Sequence, residues 1–224
     1  MGAGQPGSWQ SADYVARWAG DDVVARLLET PRRISTALVR DAGTPVRHVV
    51  DLGSGEGPYL AELLGAFPGA RGTWLDSSEP MRERARAALV ALGGRVRFVV
   101  AAVEELAAAA LEPADVVVSS RALHHLPPDA LARAYRDVRA LLPDGGWFFN
   151  LDHVGASGDW ERRYRRIRSE LVGRRRRALE PHREDEPLLP VAEHVRLLGE
   201  AGFAAVDVPW RMLYTALLAA RVRS

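Results

Sequence analysis

Short apolar runs alternate with amphipathic stretches along most of this chain. Residues 13–28 carry Tyr14, Val15, Trp18, Val23, Val24, Leu27 and Leu28 at helical spacing, with Gly20 placed to break the helix in two. A second helix starts at Pro31 and puts Ile34, Leu38 and Val39 on one face. Residues 47–52 read as the first strand, 59–67 as a helix stopped by Pro68-Gly69, and 72–76 as the second strand. A helix over 79–92 capped by Gly93-Gly94 leads to a third strand at 95–100. The apolar run at 114–119 suits a strand buried on both faces. A helix over 128–142 ends at Pro143-Asp144-Gly145-Gly146, and a fifth strand follows at 147–151. This alternation predicts a parallel sheet with helices on both faces.

The end of the chain breaks the rhythm. After a helix at 191–201, capped by Gly202, residues 203–208 and 213–222 read as strands joined by a loop at 209–212. Strands so close in sequence pair antiparallel, because a parallel crossover needs a dozen or more residues. Residues 1–10 read as loose. Neither a repeat nor a linker interrupts the pattern, so residues 1–224 are expected to form one domain.

The sharpest chemical signal lies between the first strand and its helix. Asp51 closes a β-branched run, Gly53, Gly55 and Gly57 follow at every second position, and Pro58 opens a helix. Glycine allows positive φ and lacks a Cβ, so a ligand can lie against bare backbone. A dinucleotide loop reads G-x-G-x-x-G and seats a pyrophosphate. Here the spacing is G-x-G-x-G, and the acid two residues before it would repel pyrophosphate but could hold an ammonium group. On these residues alone a nicotinamide or flavin site, or a turn with spare glycines, stays open.

Ligands of open α/β sheets bind beyond the carboxyl ends of the strands. Asp76 ends the second strand about 20 residues after the loop, a spacing that suits a ribose contact. It can accept both hydroxyls or cap the following helix. His124 and His125 follow the fourth strand; neighbours in sequence point apart and no third ligand stands at motif spacing, so no metal is expected. Asp152 and His153 follow the fifth strand as candidates for substrate contact or proton removal, or as a cap and a surface histidine.

Composition narrows the chemistry. The chain has 224 residues, 47% of them hydrophobic, a net charge of +1 and no cysteine. Disulfides, thiolate metal sites and a cysteine nucleophile are excluded. All 30 basic residues are arginine, which removes Schiff-base and P-loop lysine chemistry. No signal peptide or membrane-spanning run is apparent, so a cytoplasmic protein without a membrane partner is expected.

The run Val49-Val50-Asp51-Leu52-Gly53-Ser54-Gly55-Glu56-Gly57 resembles motif I of the class I S-adenosylmethionine-dependent methyltransferases. Asp76-Ser77-Ser78-Glu79-Pro80-Met81 resembles that family's D-x-S-x-x-M stretch, and Leu123-His124-His125-Leu126 its L-H-H-L. Leu142-Pro143-Asp144-Gly145-Gly146 and Leu197-Leu198-Gly199-Glu200-Ala201-Gly202-Phe203 are also similar to family segments. The resemblance implies a Rossmann-like seven-stranded sheet of order 3-2-1-4-5-7-6 with the last strand antiparallel. It implies S-adenosyl-L-methionine as cofactor, held by Asp51, Gly53, Ser54, Gly55, Gly57, Asp76 and Ser77. Met81 would pack on adenine, and Ser120 would contact the cofactor tail. The family commonly has an acid where this chain has Ala102; backbone groups of Ala102 and Val103 would read the adenine instead, with Glu104 as a substitute.

The same resemblance implies methyl transfer to an O, N or C atom of a small, specialised-metabolite acceptor, with His153, Asp152, His124 and His125 as the catalytic candidates. Residues 1–45 would form a helical lid carrying Trp9, Tyr14, Trp18, Arg32 and Arg33, or helices simply packed on the sheet. Residues 155–189 would be a substrate-side insertion with Trp160 and Tyr164. The basic run at 162–177 reads as a solvated face, a grip for an anionic small substrate, or a nucleic-acid contact. Neutral overall charge argues against nucleic acid, although an RNA methyltransferase stays open, as does a cofactor-binding protein with other chemistry. A homodimer is left open.

Overall fold

The computed structural model describes residues 9–18, 26–156, 158–172 and 188–224. Its strands are β1 (His48–Leu52), β2 (Arg71–Asp76), β3 (Val96–Val100), β4 (Val116–Ser120), β5 (Trp147–His153), β6 (Ala205–Met212) and β7 (Thr215–Arg221). They form one sheet of order β3-β2-β1-β4-β5-β7-β6. The pairs among β1 to β5 are parallel, whereas β7 runs antiparallel to both β5 and β6. The expected Rossmann-like order and its antiparallel strand are therefore present. The helices, in chain order, are α1 (Ala12–Trp18), α2 (Glu29–Asp41), α3 (Pro58–Ala66), α4 (Glu79–Ala88), α5 (Pro128–Leu141), α6 (Asp159–Val172) and α7 (Val191–Glu200).

The central strands are buried on both faces, and the period of two sorts their side chains. Val49, Trp74, Val116, Val118, Phe149 and Leu217 pack on one side with Leu60 and Leu63 of α3. Val50, Leu52, Leu75, Val117, Phe148 and Leu218 pack on the other with Leu131, Tyr135 and Val138 of α5. Each fully buried aliphatic side chain contributes roughly 1.5–3 kcal/mol. These contacts fix the register that brings the strand ends to one edge.

Several boundaries differ from the sequence reading, each for a local reason. The helix expected over 79–92 stops at Ala88, and Val90–Arg95 continues as a 3-10 turn. Gly93, at φ 58°, lies inside that turn, so it does not cap the helix. The loop expected at 209–212 is strand: β6 continues to Met212, and the reversal falls at Leu213-Tyr214, with Leu213 at φ 56°. Pro209 is tolerated because β6 is an edge strand and its pairing shifts register between Asp207 and Trp210. Strand β5 is two residues longer than expected, because Asp152 and His153 still pair with Ala216 and Thr215. The helix expected over 13–28 is described as α1 and then from Arg26 onward; Gly20 and residues 1–8 of the stretch 1–10 expected to be loose lie outside the described residues, whereas Trp9 and Gln10 are hydrogen-bonded to Ser78 and Ser77.

Candidate active site

Asp51, the loop 53–57, Asp76, Ser120 and Asp152 meet at the carboxyl edge of the parallel strands. All three loop glycines have positive φ, at 61°, 56° and 81°, which L side chains rarely adopt. Their missing Cβ atoms serve different ends. A Cβ on Gly53 would fall 2.3 Å from the Ala122 Cβ, and one on Gly57 would fall 2.6 Å from Leu89 Cδ1. At Gly55 nothing stands within 4 Å. Gly53 and Gly57 thus allow close packing within the protein, and Gly55 leaves bare backbone facing open space.

Two side chains of β2 hold that open glycine from both sides. Gly55 N–H donates to Asp76 Oδ2 at 2.9 Å, and Trp74 Nε1 donates to the Gly55 carbonyl at 2.7 Å. Asp76 Oδ1 also accepts from Ser78 N–H at 2.9 Å. Burial raises the Asp76 carboxyl above its ordinary value, against the backbone N–H groups of Gly55, Ser78 and Ser77, which lower it. The helix cap is Ser78, whose hydroxyl accepts from Met81 N–H, so Asp76 is not the cap. Ser77 is exposed, and its carbonyl accepts from Gln10 Nε2 at 2.8 Å, while Ser78 Oγ donates to the Trp9 carbonyl. These two bonds tie the start of the described chain to the rim of the cleft.

Asp51 is 1% exposed. Its Oδ2 accepts from Ser54 Oγ at 2.7 Å and from Leu60 N–H at 3.2 Å. Its Oδ1 is buried with no hydrogen-bond partner. Burial pushes this carboxyl up to about 7, although the Ser54 hydroxyl, the Arg32 charge and the Leu60 N–H pull it down. A buried carboxylate oxygen without a donor suits an ammonium group.

The remaining cofactor candidates are less uniform. Met81 is 2% exposed within the core cluster of Trp74 and Leu89. Ala102 opens the 3-10 turn Val103–Glu105; its N–H donates to Glu105 Oε2 and its carbonyl accepts from Glu105 N–H. The acid that folds back here is Glu105, while Glu104 is exposed. Ser120 ends β4, and Arg121 beside it adopts φ 56°, its N–H donating to the Leu151 carbonyl. Nothing in the sequence signals that strained arginine.

The catalytic candidates form one cluster. Asp152, fully buried, accepts from His124 N–H at 2.9 Å and faces His124 Nδ1 at 2.5 Å. It also accepts from His153 N–H at 2.8 Å. Burial alone would raise the Asp152 carboxyl, but the neighbouring His124 and His125 and these hydrogen bonds outweigh it and hold the carboxyl below its usual range. An ionised Asp152 can only accept, so His124 Nδ1 carries the proton of this contact and Nε2 is turned away from the carboxylate. The rings of His124 and His125 lie 4.0 Å apart, so these neighbours do not point apart as expected. The 3-10 turn Leu123–His125 puts them side by side. His153 stands 4.8 Å from His124 and 5.1 Å from Tyr214, with Nδ1 3.2 Å from Thr215 Oγ1. Buried in β5, it is not a surface histidine. Among the described residues no group of acids and histidines could hold a metal ion.

The described part of the basic run is α6. Arg162 pairs with Asp159 and Arg165 with Glu161, as in a solvated helix. Arg168 differs: it is 8% exposed and donates to Tyr214 Oη at 2.7 Å, which ties α6 to the histidine cluster. Residues 173–187, with the rest of the run, lie outside the described residues, as does the side chain of Trp18. No helix among the described residues is long and apolar enough to cross a membrane.

Comparison with known proteins agrees with this geometry. A family model described as a methyltransferase domain matches residues 49–146. The ubiquinone biosynthesis O-methyltransferase of Bordetella avium is 36% identical over 104 residues, which cover 46% of this chain and 41% of that protein. An O-methyltransferase family protein from Burkholderia thailandensis superposes with a TM-score of 0.64 at 24% identity, over 93% of this chain and 62% of that one. Human N-acetylserotonin methyltransferase, solved with its cofactor, gives 0.69 at 16% identity over 100% of this chain and 61% of that one. The chain thus spans 41% of the first of these relatives and about three fifths of the other two, and the structural likenesses speak for the fold.

Proposed function

We propose, from the match of residues 49–146 to a methyltransferase domain, that the chain is a class I S-adenosylmethionine-dependent methyltransferase and that it methylates a hydroxyl oxygen of a small molecule. S-adenosylmethionine is the cofactor of this family, and bound in the cleft it supplies a methyl group on a sulfonium. The residues fit it: Asp51 offers a buried carboxylate oxygen to the ammonium, Gly55 leaves open backbone, and Asp76 stands ready for the ribose.

The observation that carries the oxygen acceptor is the His124–Asp152 pair at the end of β5. A sulfonium is already a good leaving group, so the protein has to align the acceptor, keep water away and, for a hydroxyl, take its proton. Asp152 holds the His124 ring through Nδ1, which leaves Nε2 to receive that proton. His153 and Tyr214 stand beside the same ring. A neutral amine acceptor needs the pair less, and an RNA acceptor finds no support in the described face of α6, where Arg162 and Arg165 already have acidic partners.

The first test is calorimetry with S-adenosylhomocysteine, with NADH as control. Micromolar binding of the first and none of the second is expected. Transfer of labelled methyl to a panel of phenols, aliphatic alcohols, amines and tRNA then tests the acceptor. Labelling of amines or tRNA with no hydroxyl substrate would overturn the oxygen reading.

A further inference from the structure

The helix before β1 carries a cation that this mechanism does not use. Arg32 lies in the first turn of α2 and is half-buried. Its backbone carbonyl is occupied by Ser35 Oγ at 2.6 Å and Thr36 Oγ1 at 3.1 Å, and Ser35 in turn accepts from Tyr59 Oη at 2.8 Å. These bonds lock α2 onto α3 and fix the stem from which the guanidinium projects. The guanidinium Nε is buried with no hydrogen-bond partner. Asp51 Oδ1, also buried and without a partner, lies within electrostatic reach of it, as do Tyr59 and Glu62. By contrast Arg33 next to it is exposed and reaches Glu29.

A buried guanidinium nitrogen without an acceptor is costly, and so is a buried carboxylate oxygen without a donor. Here the two belong to joined segments, since Ser35, one turn on from Arg32, accepts from Tyr59 Oη and the next residue, Leu60, donates its N–H to Asp51, yet Arg32 Nε and Asp51 Oδ1 each stay without a partner. A single ligand can satisfy both if it brings an anion to the arginine and a cation to the aspartate. An α-amino acid does so, with its carboxylate and ammonium on one carbon. Resting on the methyltransferase reading above, we propose that Arg32 is the carboxylate anchor of the cofactor's amino-acid tail, acting with Asp51 as a clamp for the zwitterion. The arginine comes from the segment expected to form a lid, so that segment would also select the cofactor. Arg32 is a binding residue and takes no part in proton removal.

The test compares three ligands by calorimetry on the full chain. S-adenosylhomocysteine has both charges of the tail; S-adenosyl-3-thiopropylamine keeps the ammonium but lacks the carboxylate; 5′-methylthioadenosine lacks both. In the wild type the thiopropylamine is expected to bind about 10- to 100-fold more weakly than S-adenosylhomocysteine, the range of one charge-assisted contact. Arg32→Met should weaken S-adenosylhomocysteine by the same factor and leave the other two ligands within about twofold. Their retained affinity shows that the variant is folded. Arg32→Lys should recover part of the loss, since an ammonium keeps the charge without the fork. Equal loss of all three ligands, or no loss of S-adenosylhomocysteine, would overturn the clamp. If no adenosyl ligand binds the wild type, it is the methyltransferase reading that falls, and the clamp with it.

Discussion

The Asp152 carboxylate grips His124 at two points, the backbone N–H at 2.9 Å and the ring Nδ1 at 2.5 Å. This fixes both the position of the turn and the tautomer of the ring. Asp152→Asn keeps the shape but places an amide NH2 where acceptors are needed. The His124 proton should move to Nε2, and the base should be lost. Turnover is expected to fall by about 10²–10⁴, while S-adenosylhomocysteine affinity stays within about twofold. Steady-state kinetics with parallel calorimetry checks both halves. Unchanged turnover would remove this pair from the chemistry. The depressed Asp152 carboxyl also stabilises the fold above the ordinary aspartate range, and that contribution is lost as pH falls through its lowered value.

His153 sits between the His124 ring and Tyr214 and is 1% exposed. Its surroundings resemble a brace more than a base, because its Nδ1 faces the Thr215 hydroxyl. His153→Ala should cost about 1–3 kcal/mol of stability from the buried contacts it leaves open. It should lower turnover less than His124→Gln does. Denaturant melts and kinetics on both variants decide the order, and a larger loss at His153 would make it the base instead.

The three loop glycines predict a split between folding and binding. Gly53→Ala would drive a Cβ to within 2.3 Å of the Ala122 Cβ, so it should destabilise the fold by about 1–3 kcal/mol through overpacking and backbone strain. Gly55→Val meets open space and costs only the strain of its positive φ, yet it fills the ground proposed for the cofactor. It should remove detectable S-adenosylhomocysteine binding while the protein still melts cooperatively. A Gly55→Val variant that binds normally would sink the placement of the cofactor against this loop.

Much of this was legible in the residues because each signal had a single physical cause. Gly-x-Gly-x-Gly after a β-branched run demands positive φ, and the apolar run ahead of Ser119 demands burial on both faces. The alternation of strand and helix then leaves few topologies. What the sequence hid arises from tertiary contact. Trp74 reads as a core aromatic, and only the fold aims its indole N–H at the Gly55 carbonyl. Ser78 outcompetes Asp76 for the cap because Asp76 turns toward the glycine loop. Local pattern favoured a turn at Pro209, but an edge position and a bulge let the strand run through it. The partner of Asp152 lies 28 residues away on another strand's loop, at a distance no periodicity reports.

The proposed contact between Asp51 and the cofactor's ammonium would make affinity a function of pH. Without ligand, burial holds its carboxyl near 7, so below that value the folded protein keeps a proton that the unfolded chain, at the ordinary aspartate value, has released. Free-protein stability from this group therefore falls as pH rises from about 4 to about 7. Binding works in the opposite sense. The cofactor's ammonium favours the carboxylate, so the bound form must shed the proton, and affinity is penalised wherever the free protein holds it. S-adenosylhomocysteine affinity should rise about tenfold between pH 6 and pH 8, most of it below pH 7. Calorimetry in buffers of different ionisation enthalpy should show release of a proton at pH 6 and little at pH 8. 5′-Methylthioadenosine, which lacks the ammonium, should show neither effect, and Asp51→Asn should flatten the profile for S-adenosylhomocysteine. A flat profile in the wild type would mean that the ammonium is held elsewhere and that the unsatisfied Asp51 oxygen has another purpose.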